Sequence, residues 1–455
     1  MIRTTCVLGA VLTLCAIGPP AGGQSASSEV ALADDVGSLV RQLDANSSAE
    51  RRAAERALYE LATETGGDAQ AVLDALPMVN DRMPAAVRSG IGRIRRRIEK
   101  TLAERAAEAT RVTLTVKDTP LTEVLKQIGE QTGNQLSDSR SQFGNADASQ
   151  KVSIELQDEP FWPAIDRLLD AANLGVYAYG GDYELSLVAR EPGVRPRFGG
   201  AAYAGPYRIE PLRVVSTRGL RTTGEASLDV EVEVAWEPRL QPIAVSQPMS
   251  DLTAKVDGGA TLSVLRPEQS IDVEVTPGTQ GVEMTLSFVL PERATEQITT
   301  INGRLETVIP GRQTDFRFEA IGAESRPRGQ QQGDATVSLE RFTKSGPIWE
   351  LHMRLTMANA GDAFASHRGW VFQNLSYLTD ADGARIEHAG FETVLQTANE
   401  VGLVYLFDLR DMEASAADAI EGAEADPRRL AWVYRSPVSI VSLRVEYELK
   451  DIQLP

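Results

Sequence analysis

One segment of this chain is written twice. Residues from Val112 run VTLTVKDTPLTEVLKQIGEQT, and residues from Val152 run VSIELQDEPFWPAIDRLLDAA, at an offset of 40 residues. Each copy opens with strand alternation (Val112, Leu114, Val116; Val152, Ile154, Leu156). Each continues through Asp-x-Pro into apolar residues at helical spacing (Leu121, Val124, Leu125, Ile128; Phe161, Ile165, Leu168, Leu169). The repeat therefore predicts two βα units packed as one pseudo-symmetric domain. Asp118 and Asp158 stand where helix caps are expected, with Pro120 and Pro160 in the first turns. Gly133 and Gly175 mark turns after the helices, and VYAYGGDYELSLVA predicts a hairpin around Gly180-Gly181. The domain so delimited spans 111–190.

The first 23 residues have the form of a signal peptide. Arg3 supplies a positive n-region, CVLGAVLTLCAI an apolar h-region, and Ala21-Gly22-Gly23 small residues before a cut at Gln24. The h-region is too short to span a bilayer, which takes about 20 residues. A lipoprotein would need a lipobox ending at Cys15, but Leu14 is too large for that peptidase. An uncleaved anchor is the third reading. Cys6 and Cys15 both fall in this segment, so the mature chain would contain no disulfide, catalytic thiol or thiolate metal site. The formal charge of −18 argues against nucleic acid and anionic lipid as general partners.

Residues 34–109 read as helix. Apolar stripes occur at Val36, Leu39, Val40 and Leu43, at Ala54, Ala57, Leu58 and Leu61, and at Val87, Ile91, Ile94, Ile98 and Leu102. Ser47 with Glu50 has the spacing of a capping box. The stretch LVRQLDANSSAERRAAERALYELA resembles a HEAT-type repeat; a plain helical bundle is the alternative. Residues 24–33 are small and polar, as in a flexible leader. Residues 190–206 are rich in Gly, Pro and Ala and read as a linker, as does ESRPRGQQQGDA. After 207 the period changes to two, in LDVEVEVAW, IDVEVTPG, VEMTLSFVLP and TDFRFEAIG. It continues in TVSLERF, WELHMRLTMA, LVYLFDLR and VSIVSLRVEYELKDI. These runs predict antiparallel β-sandwich domains over 207–322 and 335–455, the second carrying an Ala/Asp/Glu-rich insertion at 411–428.

The two "strand, Asp-x-Pro, amphipathic helix" units and the closing hairpin of 111–190 resemble the short N-terminal domain shared by secretins and TonB-dependent receptors. That resemblance implies docking to partner proteins and no chemistry. Neither a secretin pore nor a receptor barrel follows in this sequence, so the module would serve another context.

Residues able to carry chemistry are sparse. His352, His367 and His388 lack the spacing that brings metal ligands together, and no Gly-x-Ser-x-Gly elbow is present. Asp380-Ala-Asp382-Gly383 begins like a calcium loop, but Phe391 stands where the closing glutamate belongs, and Asp-Gly is a strong hairpin signal. The acidic residues of the β strands are the solvated half of an alternation. Arg93, Arg95, Arg96, Arg97 and Lys100 form a basic run. It suits either an acidic partner or polymer, or a solvated face that offsets nearby acids. Trp236 and Trp349 lie on the apolar register of their strands; Trp370 and Trp432 are left as possible contact residues beside Arg93, Arg96 and Arg97. The expectation is an exported, non-enzymatic, multidomain α+β protein of the periplasm or cell envelope, without cofactor or metal. It would act in protein–protein interaction or scaffolding with an envelope partner. Polysaccharide or cell-wall binding through the β domains is the alternative, and a hydrolase with an unrecognised site is third.

Overall fold

The computed structural model describes residues 23–63, 69–77, 79, 82–144, 150–177, 183–221, 226–322, 327–358, 368–410 and 429–455. Residues 1–22 of the signal segment, Gly66-Gly67, Gly180-Gly181, His367 and the 411–428 insertion lie outside them. The chain is mixed α and β, with a helical N-terminal region and several antiparallel sheets. It divides into two compact units, one ending at Ile98 and one beginning at Glu99.

In the first unit α1 (Gly23–Gln42), α2 (Ser48–Thr63) and α3 (Ala69–Ala75) pack on one another. They are followed by α4 (Ala85–Ala106). The apolar stripes turn inward at Val36 and Leu43, at Ala54, Leu58 and Ala62, and at Val87, Ile91, Ile94 and Ile98. Ser47 caps α2, its Oγ accepting the Ala49 N–H at 3.2 Å. Residues 24–33, expected as a loose leader, are part of α1. Their alanines, glutamate and leucine favour helix, and the serines lower that propensity only slightly.

The repeat forms the first part of the second unit: β1 (Arg111–Pro120), α5 (Leu121–Thr132), β2 (Leu136–Asp138), β3 (Lys151–Pro160), α6 (Phe161–Ala172), β4 (Leu174–Tyr177) and β5 (Leu185–Ala189). Strands β1 and β3 pair antiparallel about a pseudo-twofold axis. Arg111 faces Pro160 while Pro120 faces Lys151, and Val112 faces Glu159 while Thr119 faces Val152. A three-stranded sheet, β2-β5-β4, completes the module. Both helices contribute to its core, through Leu121, Val124, Leu125 and Ile128 and through Phe161, Ile165, Leu168 and Leu169.

The aspartates of the repeat do not cap the helices. Asp118 and Asp158 take positive φ, 49° and 47°, and bulge the two strands. Each gives its N–H to a hydroxyl of the other copy: Asp118 to Ser153 Oγ at 2.9 Å, Asp158 to Thr113 Oγ1 at 3.0 Å. Pro120 and Pro160 occupy the cap positions, and no side chain caps either helix. The first helical N–H of each copy instead reaches a backbone carbonyl of the other, Leu121 to Gln150 at 3.0 Å and Phe161 to Thr110 at 2.8 Å. Exchange between copies thus does the work expected of local caps.

The linker after β5 is short of free chain. It forms β6 (Ala202–Ala204), which pairs with β7 (Tyr207–Arg218), followed by β8 (Ala226–Trp236), β9 (Ala244–Pro248), β10 (Thr253–Val256), β11 (Thr261–Leu262), β12 (Ser270–Glu274), β13 (Gly281–Val289) and β14 (Gln297–Pro310). The second β region contains β15 (Gln313–Phe318), β16 (Arg328–Gln332), β17 (Ala335–Ser345), β18 (Ile348–Met357), β19 (Ser376–Thr379), β20 (Arg385–Glu387), β21 (Gly390–Gln396), β22 (Glu400–Asp408) and β23 (Ala431–Pro437). The last strand is β24 (Ile440–Gln453). Part of the second expected linker is therefore strand β16. In the first region the sheet β13-β8-β7-β6 and the sheet containing β9 to β12, β14 and β24 share one core. In the second region β15-β23-β19-β20 and β16-β17-β18-β22-β21 share another.

The β-domain boundaries differ from those expected at 207–322 and 335–455. Strand β24 leaves the second region and pairs along β14, from Gln297 opposite Gln453 to Pro310 opposite Ile440. Strand β15 leaves the first and pairs with β23, from Gln313 opposite Pro437 to Phe318 opposite Trp432. The register is unbroken between them, with Gly311 N–H on Ser439 O and Val438 N–H on Arg312 O, both at 2.8 Å. Alternation of period two marks a strand without naming its partner, so the swap left no trace in sequence. Gly303 is required inside this ladder, because Tyr447 lies across it and a Cβ would stand 2.4 Å from the ring.

If the two copies share one core, Leu125→Ala and Ile165→Ala should each destabilise the module by about 2–5 kcal/mol. Lys126→Ala, on an exposed site, should change it by less than about 0.5 kcal/mol. Hydrogen exchange of the module amides in the full chain measures this, and two silent core changes would refute a common core.

Candidate functional site

Buried charge is concentrated where the βα module meets the first β region. Asp166, in the middle of α6, is fully buried. One oxygen accepts Arg197 Nε at 3.1 Å; the other accepts Arg208 Nε and the Tyr203 hydroxyl, each at 2.7 Å. Arg208 on β7 is also fully buried and reaches Glu210 at 2.5 Å and Glu233 at 4.0 Å. Burial tends to lower the Arg208 pKa, but Asp166 and Glu210 outweigh it and hold the guanidinium charged. Burial, with Asp166 beside it, pushes the Tyr203 phenol well up. The Glu233 carboxyl is also raised, by burial first, against the attraction of Arg197 and Arg208.

Two further ties hold the same junction. Asp170, one turn after Asp166, accepts the backbone N–H groups of Arg197 and Phe198 at 2.8 and 2.9 Å and pairs with Arg190. Burial raises its pKa, but these donors outweigh that and hold it below the usual carboxylate value. Glu237, fully buried at the end of β8, accepts the N–H and hydroxyl of Thr110 at 2.9 and 2.8 Å. It also accepts Asn134 Nδ2 at 3.1 Å and Arg239 Nε at 2.7 Å. Trp162 of α6 gives its indole N–H to Pro206 O at 3.0 Å. With its oxygens filled by protein donors, Asp166 is placed to hold structure. Sequence alone offered no sign of these pairings, since partners such as Asp166 and Arg208 are far apart along the chain.

The basic run on α4 is engaged within its own unit. Arg93 pairs with Glu55, and Arg97 lies over the Tyr59 ring at 3.7 Å from its centre. Arg96 is exposed. Trp432 is not a surface residue: it is fully buried, stacked on Phe318, with its indole N–H on Ser376 Oγ at 3.0 Å. Its β23 register, set by pairing with β15, turns it into the core. The structure does not bring Arg93, Arg96, Arg97, Trp370 and Trp432 together as one site. His352 contacts Glu350 and Arg341 on the polar face of β18, and His388 packs against Tyr405, in separate places. Among the described residues no group of three or more His, Cys, Asp or Glu could hold a metal. Asp380 Oδ1 is taken by the N–H groups of Asp382 and Ala384 in the β19–β20 turn.

Trp370 alone of the nominated tryptophans reaches a cavity. It sits in a 3₁₀ turn over Arg368–Gln373. Gly369 brings that turn against β12, where a Cβ would stand 1.7 Å from Glu274 Oε1. The cavity, about 110 Å³, opens where the ladder passes from one β region to the other, with Pro310, Gln313 and Pro437 in its wall. A larger cleft of about 830 Å³ lies between β7 and β24 and includes Arg195, Glu210, Arg213 and Lys450. No family model, curated protein or solved structure matches this chain.

Removing one partner of a buried pair strands the other charge. Asp166→Ala should therefore cost about 3–5 kcal/mol in chemical denaturation, and adding Arg208→Met should recover part of the loss. A cost under about 1 kcal/mol would show that the pair does not hold the junction. Glu233 gives a second test. With its pKa raised on folding, its favourable contribution is complete below its ordinary value of 4.5 and is lost as pH rises through the folded pKa. Glu233→Gln should raise the melting temperature at neutral pH, and the gain should vanish below pH 4.5; a loss at neutral pH would contradict this.

Proposed function

We propose that this chain is an exported, non-enzymatic modular protein that binds an envelope protein partner, with 111–190 as the recognition module. The two pairs of facing sheets serve as β-sandwich domains on which the module is mounted. What supports this is how the polar groups of the second unit are used. The most deeply buried charges, Asp166, Arg208 and Glu237, join the module to the β region behind it. The other side of the module stays in solvent: Thr113, Thr115 and Lys117 of β1 and Ser153, Glu155 and Gln157 of β3 form an exposed polar row. A module held stiffly from behind and open in front suits docking, because little freedom is lost on binding. The resemblance of the two βα units to the secretin and TonB short domain, which implies docking, supports the same reading. The signal-like first 23 residues support export to the periplasm or cell envelope.

The test is capture of partners from the organism's own envelope fraction by the full mature chain, with mass spectrometry. Thr115→Arg combined with Gln157→Arg alters the exposed row without touching the core or the hydrogen bonds exchanged between the copies, so it should abolish capture of the specific partner while the melting temperature is kept. Unchanged capture would remove the module from the recognition role.

A further inference from the structure

The cavity at the crossing of the two β regions has a composition unlike the rest of this acidic chain. Among the described residues its lining has no carboxylate, ammonium or guanidinium group, and the one ionisable side chain is the Tyr183 phenol. Two aromatic residues, Trp370 and Tyr183, line it with four carboxamides, Gln241, Gln313, Gln373 and Asn374. Of the five tryptophans in the chain, Trp162, Trp236, Trp349 and Trp432 are buried in cores, and Trp370 alone is only partly buried.

One of the amides is held in place, and the wall behind it is ordered. Asn374 gives its Nδ2 to the Tyr434 hydroxyl at 2.9 Å and to Ser436 Oγ at 3.3 Å, which fixes the amide and leaves its carbonyl oxygen as an acceptor. Tyr183 has a φ of 56°, a costly conformation for a bulky side chain, and such strain gathers at binding sites. The wall behind them is rigid, with Ile243 N–H on Val308 O at 2.7 Å and Val275 N–H on Ile243 O at 3.0 Å. Prolines at 242, 277, 310 and 437 stiffen the rim.

The geometry points to a binding site for one neutral sugar residue. A pyranose ring offers an apolar face to an indole and hydroxyl groups around its edge to carboxamides, which both donate and accept. The absence of cationic side chains among the described lining residues disfavours uronic acids and phosphorylated sugars, whose desolvated anions would find no counter-charge there. The volume of about 110 Å³ is below the 300–1,000 Å³ usual for drug-sized ligands, so the site takes a single residue, such as one unit or the end of a glycan. A proline-rich peptide, which also favours aromatic residues, would need a longer groove. This site is independent of the docking surface on the βα module.

The experiment is titration of the full mature chain with glucose, galactose, mannose and N-acetylglucosamine, each to about 50 mM, where a millimolar site is saturated. Saturation-transfer NMR and tryptophan fluorescence report binding, with glucuronic acid as the charged comparison. At least one neutral sugar should give a saturable response and glucuronic acid none. Trp370→Ala should abolish the response. Gln313→Ala with Gln373→Ala, both exposed positions that leave the core intact, should weaken it several-fold, and this variant decides if Trp370→Ala fails to fold. No saturable response to any of the four sugars, an equal response to glucuronic acid, or a response unaltered in the glutamine variant would overturn the proposal. So would binding of a proline-rich peptide in place of the sugars.

Discussion

A single antiparallel ladder, 297–318 against 432–453, organises the β part of the molecule. Its backbone pairing runs without a slip through both β regions, and the two strands pass from one to the other at Gly311-Arg312 and Val438-Ser439, themselves hydrogen-bonded across the ladder. The buried positions change parity along it. Ile301 and Leu305 face the first region's core, Ile309 on the same face packs with Leu443 in a small separate cluster, and Phe316 and Phe318 face the second core. The partner strand makes the same change, from Val445, Tyr447 and Leu449 to Trp432 and Tyr434. Because side chains alternate across a strand, the two cores take opposite faces of one ribbon. Relative movement of the two β regions must therefore bend or break paired strands, which costs more than turning a flexible linker.

Helix α6 plays the corresponding part for the βα module. Phe161, Ile165, Leu168 and Leu169 fill the module's core, while Trp162 and Asp166 on the remaining surface meet the first β region. Ionic contacts of this kind contribute modest net stability, since desolvation offsets most of the attraction. Their effect is on geometry. Asp166 can satisfy three donors in one arrangement only, and Glu237 binds four donor groups, from Thr110, Asn134 and Arg239. The module is fixed by direction as well as by burial, and the segment 190–206 is fixed with it through Arg190, Arg197 and Phe198.

These two constraints separate the surfaces that remain available. The module presents polar, exposed strand faces at one place, and the ladder crossing presents an uncharged aromatic cavity at another. Neither uses the buried charges. Many of the chain's acidic residues lie on the outward half of the β alternation, where they favour solubility.

The repeat determined a good deal by itself. An offset of 40 residues carries over to the helix bounds, to the αL residues Gly133 and Asn173 that end the helices, and to the paired bulges at Asp118 and Asp158. The apolar stripes of 34–109 and the placing of Trp236 and Trp349 inside were equally legible, because burial follows local periodicity. Tertiary structure decided the rest. Local pattern suggested that the aspartates cap helices, but carbonyls from the other copy were closer partners. It suggested sequential β domains, but strand alternation does not encode which sheet receives a strand, and β15 and β24 exchanged sides. It left Trp370 and Trp432 equal, and only the ladder's register put one in a core and the other beside a cavity. Periodicity is a property of neighbours along the chain. Pairing, like the meeting of Asp166 with Arg208, depends on residues brought together from far apart in sequence.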